Sequence, residues 1–326
     1  MPNRFRIITL AVAALLGASG LSAPALAAGY PDRPIQMIVP FSAGGGADNA
    51  ARIIAPVLSQ ELGGTIVIKN EGGASGVIGE GEAARAPKDG YTLLYDASSF
   101  SINPLIYSVP FDPNKDFEPI SQTVSVPNVM VVAENSPYHT VGEYIAAAKK
   151  APGKLSFASY GVGSLAQLIG ELLKKDAGIN ILHVPYKGGA PAEVDVIAGR
   201  VDTFFANAAS SIGAIRAHRL RALAVTSTAR MKELPDVPTM EEAAGFKNFN
   251  VLQWNGLFAP AGTPPEVLAK LQKAVHATLQ NPDVRAKLAK LGLDTVGNTS
   301  QQFKVMIKQE TQRWASLIKE NGIKVR

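Results

Sequence analysis

Short apolar runs recur along the chain, bounded by Gly, Pro or Asp, and most are followed by a stretch whose apolar positions repeat at helical spacing. The runs predict strands at 35–39, 65–69, 91–95, 128–133, 155–158, 181–185, 201–206 and 221–226. The stretches between them predict helices at 49–62, 77–86, 140–150, 164–177, 190–198 and 211–218. This β-α-β-α rhythm argues for an α/β protein with open, mainly parallel sheets covered by helices. Pro56 falls inside the first helical pattern and is expected to bend it or loosen a turn. From Thr263 onward the pattern is almost wholly helical. Thr263-Pro264-Pro265-Glu266 and Asn281-Pro282-Asp283 read as helix starts, and helices are expected at 282–291 and 300–321, the last with Trp314 and Leu317 on one face. Two α/β halves without a linker imply more than one crossing between them, and 126–133 and 249–256 are the expected pair.

The beginning of the chain follows another pattern. Arg4 and Arg6 precede the apolar run Ile7–Leu16, broken only by Thr9, and Ala25-Leu26-Ala27 forms a small-x-small site. Residues 1–27 therefore read as a secretory signal peptide, with an apolar run too short to span about 30 Å. No later segment reaches about 18 apolar residues. The formal net charge of +5 falls by two when Arg4 and Arg6 leave, and the remainder is too mild and too evenly spread for a nucleic-acid partner. With no cysteine, an exported chain is held together by core packing rather than disulfides. Export also argues against nucleotide cofactors, and no cofactor is expected.

The catalytic inventory is thin. No G-x-S-x-G elbow is present, because Gly73-Ala74-Ser75-Gly76 is followed by Val77. Gly153-Lys154 lacks the upstream glycine and the hydroxyl of a phosphate loop. Ser316 and Lys319 form an isolated S-x-x-K on the C-terminal helix. His139, His183, His218 and His276 are scattered without ligand spacing, so no metal and no catalytic residue is expected.

Gly- and Ser-rich turns, by contrast, are abundant, and they follow the predicted strands. They are 41–46, 71–76, 96–99, 159–164, 186–189 and 207–210. In parallel sheets the carboxyl ends of the strands form the binding crevice. Glycine lets the main chain approach a ligand, and serine hydroxyls with free N–H groups donate to a carboxylate. Any one of these turns is explained as a tight connection. Six on one edge describe a cleft that donates hydrogen bonds and suits a polar or anionic ligand, held by neutral donors so that it can be released.

Several segments in order carry a family resemblance: Tyr30-Pro31-Asp32-Arg33-Pro34-Ile35; Val39-Pro40-Phe41-Ser42 with Gly44-Gly45-Gly46 and Asp48; Asp89-Gly90-Tyr91-Thr92-Leu93-Leu94; Asn103-Pro104-Leu105 with Tyr107; His183-Val184-Pro185-Tyr186-Lys187-Gly188; Arg221 to Thr226; Pro235-Asp236-Val237-Pro238-Thr239; and Gly256 to Pro264. From about Tyr30 to the C-terminus the chain resembles the extracytoplasmic solute-binding receptors of tripartite tricarboxylate transporters, the Bug proteins. The resemblance implies a type II periplasmic binding protein fold, with two α/β lobes joined by two crossover strands and a ligand cleft between them. The first lobe would be 28–126 plus 254–326 and the second 127–253. It also implies a monomer in the periplasm of a Gram-negative cell, which captures a small organic carboxylate by hinge closure and passes it to membrane permease subunits. Carried over by position, the ligand grip falls on Phe41, Ser42, Ala43 and Gly44 and on Gly73, Ala74 and Ser75. Ser98 assists from the third strand, and Gly163, Ser164, Gln167 and Asn207 close from the second lobe. Lys187, beside Tyr186, is a further candidate contact, with a lobe-shaping turn as the equal alternative.

Four positions depart from the family pattern. Ala43 stands where proline is common, Glu71 where a cation is common, Gln167 where many relatives have histidine, and Ala206 where aspartate is frequent. A less charged second lobe implies a ligand with a neutral or modestly polar far end, a mono- or dicarboxylate rather than a tricarboxylate. A sensory receptor that presents its bound form to a signalling partner is the alternative reading. A secreted α/β hydrolase is a third, weakened by the missing elbow.

Overall fold

The computed structural model describes residues 29–247 and 249–320, without the side chains of Leu317 and Glu320. The signal peptide expected over 1–27 lies outside the described residues. Strand β1 (Ile35–Val39) buries every side chain but Gln36, as a strand covered on both faces requires. It pairs in parallel with β2 (Ile66–Asn70) and β3 (Thr92–Ala97). Helices α1 (Gly46–Leu62) and α2 (Val77–Ala84) make the crossovers, and α3 (Ser99–Ile106) follows β3. Helix α1 runs unbroken through Pro56 and ends at Gly63, whose φ of 71° lets its own N–H and that of Gly64 close on the Gln60 and Ser59 carbonyls.

Strand β4 (Phe117–Ala133) is shared by both halves of the molecule. The second half contains α4 (Val141–Lys150), β5 (Ser156–Ser159), α5 (Leu165–Ala177), β6 (Leu182–Pro185), α6 (Gly189–Ile197), β7 (Thr203–Asn207), α7 (Ala208–Arg216), β8 (Leu220–Val225) and α8 (Met240–Ala244). Strand β9 (Leu252–Pro260) returns the chain to the first half, followed by α9 (Pro265–Gln280), α10 (Pro282–Ala289), β10 (Asp294–Thr295) and α11 (Ser300–Glu320). Among the described residues the strand order is β2-β1-β3-β9-β4-β7-β5-β6, with β8 and β10 also paired to β4. From Phe117 to Pro127, β4 runs antiparallel to β9; from Asn128 onward it runs antiparallel to β7 and β8. The changeover falls at Pro127, which has no N–H to give a neighbour. The next amide, Asn128 N, donates instead to Thr226 Oγ1 at 2.9 Å. The result is a two-lobed mixed α/β fold in which β4 and β9 carry the chain between lobes.

The sequence pattern began this strand at 128, eleven residues after its start at Phe117. Two prolines and Glu118, Gln122 and Ser125 mask the earlier half, which nevertheless buries Phe117, Ile120, Val124 and Val126. Helix α11 locks onto the first lobe through an aromatic cluster. Phe100 stacks on Phe258 with ring centroids 4.3 Å apart, and Trp254 meets Phe303 edge-on at 5.3 Å. A Cβ on Gly256 would overlap the Phe303 ring, so only glycine fits there. Trp314 is buried as its spacing implies, whereas the side chain of Leu317, expected beside it, lies outside the described residues.

Candidate ligand cleft

The first loop, between β1 and α1, is held from behind by Asp48, which is 1% exposed. Its carboxylate accepts from Gly44 N at 2.8 Å, Arg52 Nε at 2.8 Å and Asn70 Nδ2 at 2.9 Å. Burial works against its charge, but the hydrogen bonds from Arg52, Gly44 and Asn70 outweigh that and hold the carboxyl below the usual range. Asn70 also donates to the Phe41 carbonyl at 3.1 Å, tying the end of β2 to the loop after β1. Glu71, which stands where a cation is common, shares Lys69 with Glu82, at 3.1 Å and 2.6 Å respectively.

The second loop has an unusual backbone. Gly73, Ala74, Ser75 and Gly76 have φ values of 144°, 47°, 58° and 110°, four consecutive positive angles of which two belong to residues with a Cβ. Asn103 Nδ2 supports this turn by donating to the Ser75 carbonyl at 3.3 Å. The Ser75 hydroxyl is buried and has no hydrogen-bond partner.

Loops of the two lobes meet across the cleft. Ser42 Oγ donates to the Lys187 carbonyl at 3.1 Å, Asn49 Nδ2 donates to the Ala209 carbonyl at 3.1 Å, and the Tyr107 hydroxyl donates to the Val162 carbonyl. A Cβ on Gly161 would stand 3.3 Å from the Ser75 backbone, so this glycine permits the approach. Between the loops is a cavity of about 550 Å³. The first lobe lines it with Ser42, Ala74, Ser75 and Tyr107; the second contributes Gly161, Val162, Pro185, Tyr186, Lys187 and Pro191. Among the described residues, Lys187 is the one charged residue lining this wall, and no carboxylate lines it.

Of the residues singled out from sequence, Ser42, Ala74, Ser75 and Lys187 line the cavity. Phe41, Ala43, Gly44 and Gly73 build the two loops behind them. Ser98 is turned elsewhere: its hydroxyl accepts from Trp254 N at 2.9 Å. In the second lobe, Ser164 caps α5 by accepting from Gln167 N at 3.4 Å and donates to the Gly161 carbonyl at 2.7 Å, and Gln167 Oε1 accepts from Gly163 N at 2.6 Å. Asn207 caps α7 by accepting from Ala209 N at 2.8 Å, and its Nδ2, packed against Gly46, has no partner. Thus Gln167 shapes the Gly161–Ser164 loop, and its amide oxygen is already occupied.

Sequence reasoning left out Tyr107, Val162, Pro185 and Pro191 as wall residues. Tyr107 and Pro185 stood in motifs without an assigned role, Val162 lay in the 159–164 turn, and Pro191 carries no local chemical signal. The fold also joins Ser159 Oγ and His183 Nε2 at 2.6 Å. Ser159 is fully buried, and burial, with help from Lys174, pushes the His183 imidazole down to about 4. This contact packs two strands and gives no exposed nucleophile.

Comparison with known proteins bears on this geometry. The profile of a family described as the tripartite tricarboxylate transporter family receptor, TctC, matches residues 50–323. Protein BugT of Bordetella pertussis is 37% identical over 327 residues, covering 99% of this chain and 100% of BugT. The structure of the periplasmic binding protein BugD superposes with a TM-score of 0.87 at 38% identity, covering 90% of this chain and 99% of BugD. Two Rhodopseudomonas palustris structures are also similar. Rpa4515 with adipate has a TM-score of 0.88 at 34% identity over 90% of this chain and 99% of its own. MatC with bound malate has a TM-score of 0.84 at 30% identity over 89% and 100%.

Proposed function

The chain belongs to the TctC family of receptors, periplasmic solute-binding proteins, and on that premise we propose that it captures a small mono- or dicarboxylate for a tripartite tricarboxylate transporter permease. The observation that carries this reading is the cavity wall. Ser42, Ser75 and Lys187 line a space that, among the described residues, no carboxylate lines; the Ser75 hydroxyl has no partner, and the Ser42 hydroxyl is held by the Lys187 carbonyl. An anion entering there would meet a cation and an unengaged hydroxyl but no like charge, and the Ser42 hydroxyl could turn to it from the Lys187 carbonyl. Ser42 and Ser75, with the main chain around them, would hold one carboxylate. Lys187 and the Tyr107, Tyr186, Pro185 and Pro191 surfaces would meet the rest of the ligand, an arrangement that suits a short aliphatic or aromatic body. The adipate and malate held by the two R. palustris relatives are of this chemical class. Capture would proceed by rotation about β4 and β9, bringing the loops of 28–126 plus 254–326 against those of 127–253. No catalytic step is proposed.

A thermal-shift screen of mono-, di- and aromatic carboxylates with citrate tests the reading. A carboxylate at one hundred times its dissociation constant adds about 2.7 kcal/mol to stability. Dicarboxylates of the adipate or malate kind are expected to shift the transition and citrate to leave it in place. A screen in which no carboxylate acts, or in which citrate acts most strongly, overturns the reading. Co-purification with permease subunits tests the delivery step.

A further inference from the structure

Beneath the second loop lies a group of buried polar side chains that do not reach the cavity. Glu80 on α2 and Asp96 near the end of β3 are both fully buried, and their carboxyl groups lie close enough for each to act on the other's charge. Asp96 Oδ1 also accepts from Ala97 N at 2.6 Å, and Glu80 Oε1 accepts from Asn103 Nδ2 at 2.7 Å. Each acid is left with one oxygen that no donor reaches, Glu80 Oε2 and Asp96 Oδ2. Neither acid has a cationic partner among the described residues. On α2, Glu82 turns outward to Lys69, with Arg85 just beyond the helix end. On β3, Tyr95 is committed to Thr123; Tyr107 follows α3; and on α11 Glu310 takes the Trp314 indole N–H. The segments β1, α3 and β9 contain no titratable side chain.

One proton between two carboxyl groups satisfies both orphaned oxygens. Without it, two buried anions stand together with no counter-charge; burial raises both groups above the ordinary carboxylate range, and the Asp96 charge raises Glu80 further. The same cluster reaches the cleft through Asn103. Its Nδ2 is shared between Glu80 Oε1 and the carbonyl of Ser75, in the middle of the four residues with positive φ. Left-handed backbone at Ala74 and Ser75 persists only where surrounding contacts over-determine it.

We propose that Glu80 and Asp96, sharing one proton, act with Asn103 as positioning residues that hold the Ala74–Ser75 turn against the cleft, so that carboxylate affinity depends on that proton. The proposal rests on the carboxylate reading of the cleft. When the proton leaves, the two acids repel, the Glu80 carboxylate competes more strongly for the shared Asn103 amide and draws it from the Ser75 carbonyl, and the turn relaxes towards ordinary backbone angles. The added negative charge behind the turn also opposes an anionic ligand.

Adipate is the probe, titrated calorimetrically from about pH 6 to about pH 9, where both of its carboxyl groups are ionised. Wild-type affinity is expected to fall about tenfold across the range, and that of Glu80→Gln to change less than about twofold. The glutamine keeps the acceptor for Asn103 and offers Asp96 a permanent N–H. Asp96→Asn makes the same substitution from the other side and serves if the first variant fails to fold. Asn103→Ala is expected to bind about tenfold more weakly throughout. A flat wild-type profile, or variants that fall in parallel with wild type, overturns the proposal. A second readout needs no ligand: hydrogen exchange of the 73–77 amides, corrected for intrinsic rate, is expected to quicken at high pH in wild type and not in Glu80→Gln. Equal protection overturns the positioning role. Absence of carboxylate binding with the exchange difference intact counts against the carboxylate reading alone.

Discussion

The two walls of the cleft are built differently. On the first-lobe side, strained or tightly bent loops are braced from behind by buried charge, Asp48 under the Phe41–Gly44 loop and Glu80 with Asp96 under the Gly73–Gly76 turn. On the second-lobe side the bracing is neutral, with Ser164 and Gln167 closing the Gly161 loop, Asn207 capping α7, and prolines shaping the wall. Buried charge holds geometry firmly because leaving it unpaired is costly. Neutral caps and apolar surface change with little penalty. On the proposed carboxylate reading, the difference assigns the constant part of a ligand to the first wall and leaves the second free to select the variable part.

The comparison breaks most severely at Asp48. Asp48→Ala strips three donors of a buried acceptor and is expected to lower unfolding free energy by about 2–4 kcal/mol in urea titrations, with loss of ligand binding. Its pH dependence has a definite sign. The folded carboxyl sits below its ordinary range, so its stabilisation is complete above that range and is lost as pH falls through it. Glu80 and Asp96 act in the opposite sense: the folded pair retains a proton that the unfolded chain releases, so their contribution worsens as pH rises from the ordinary carboxylate range.

At the ligand-facing surface the effect is smaller. Ser42→Ala with Ser75→Ala is expected to weaken dicarboxylate binding by about 3 kcal/mol, near a hundredfold, since bonds from neutral donors to charged groups are worth about 1.5–3 kcal/mol each. Calorimetry against adipate reads this, and an unchanged affinity removes the serines from the grip. The second wall is expected to respond least and most selectively. Lys187 is exposed, so Lys187→Ala should cost about 1 kcal/mol or less with dicarboxylates and almost nothing with monocarboxylates. Equal losses for both classes would mean that Lys187 attracts anions generally and does not read the far end.

Much of this molecule is legible in its amino-acid order. Apolar runs such as Ile35–Val39, bounded by turn residues, mark strands because a strand buried on both faces needs continuous apolar side chains. The glycine and serine turns after them mark the edge on which the cavity lies, and Ser42, Ala74, Ser75 and Lys187 were identifiable there. Less visible were elements whose pattern is set by distant partners. The 117–127 half of β4 is polar and proline-bearing because its identity comes from pairing with β9, more than a hundred residues away. Helix α3 hides behind Asn103-Pro104 and owes its place to the aromatic cluster around Phe100.

Local chemistry by itself determined apolar strands such as Ile35–Val39, the glycine-bearing loops after them and the kind of atoms those loops offer, since these follow from neighbours along the chain. Only the tertiary structure decided that the Ser98 hydroxyl serves Trp254 N, that Gln167 is spent on Gly163, and that Glu80 and Asp96 meet in the interior. Those outcomes depend on which segments β4 and β9 bring side by side. A side chain's donors and acceptors are inherent in its type, but its partners are set by packing across the fold.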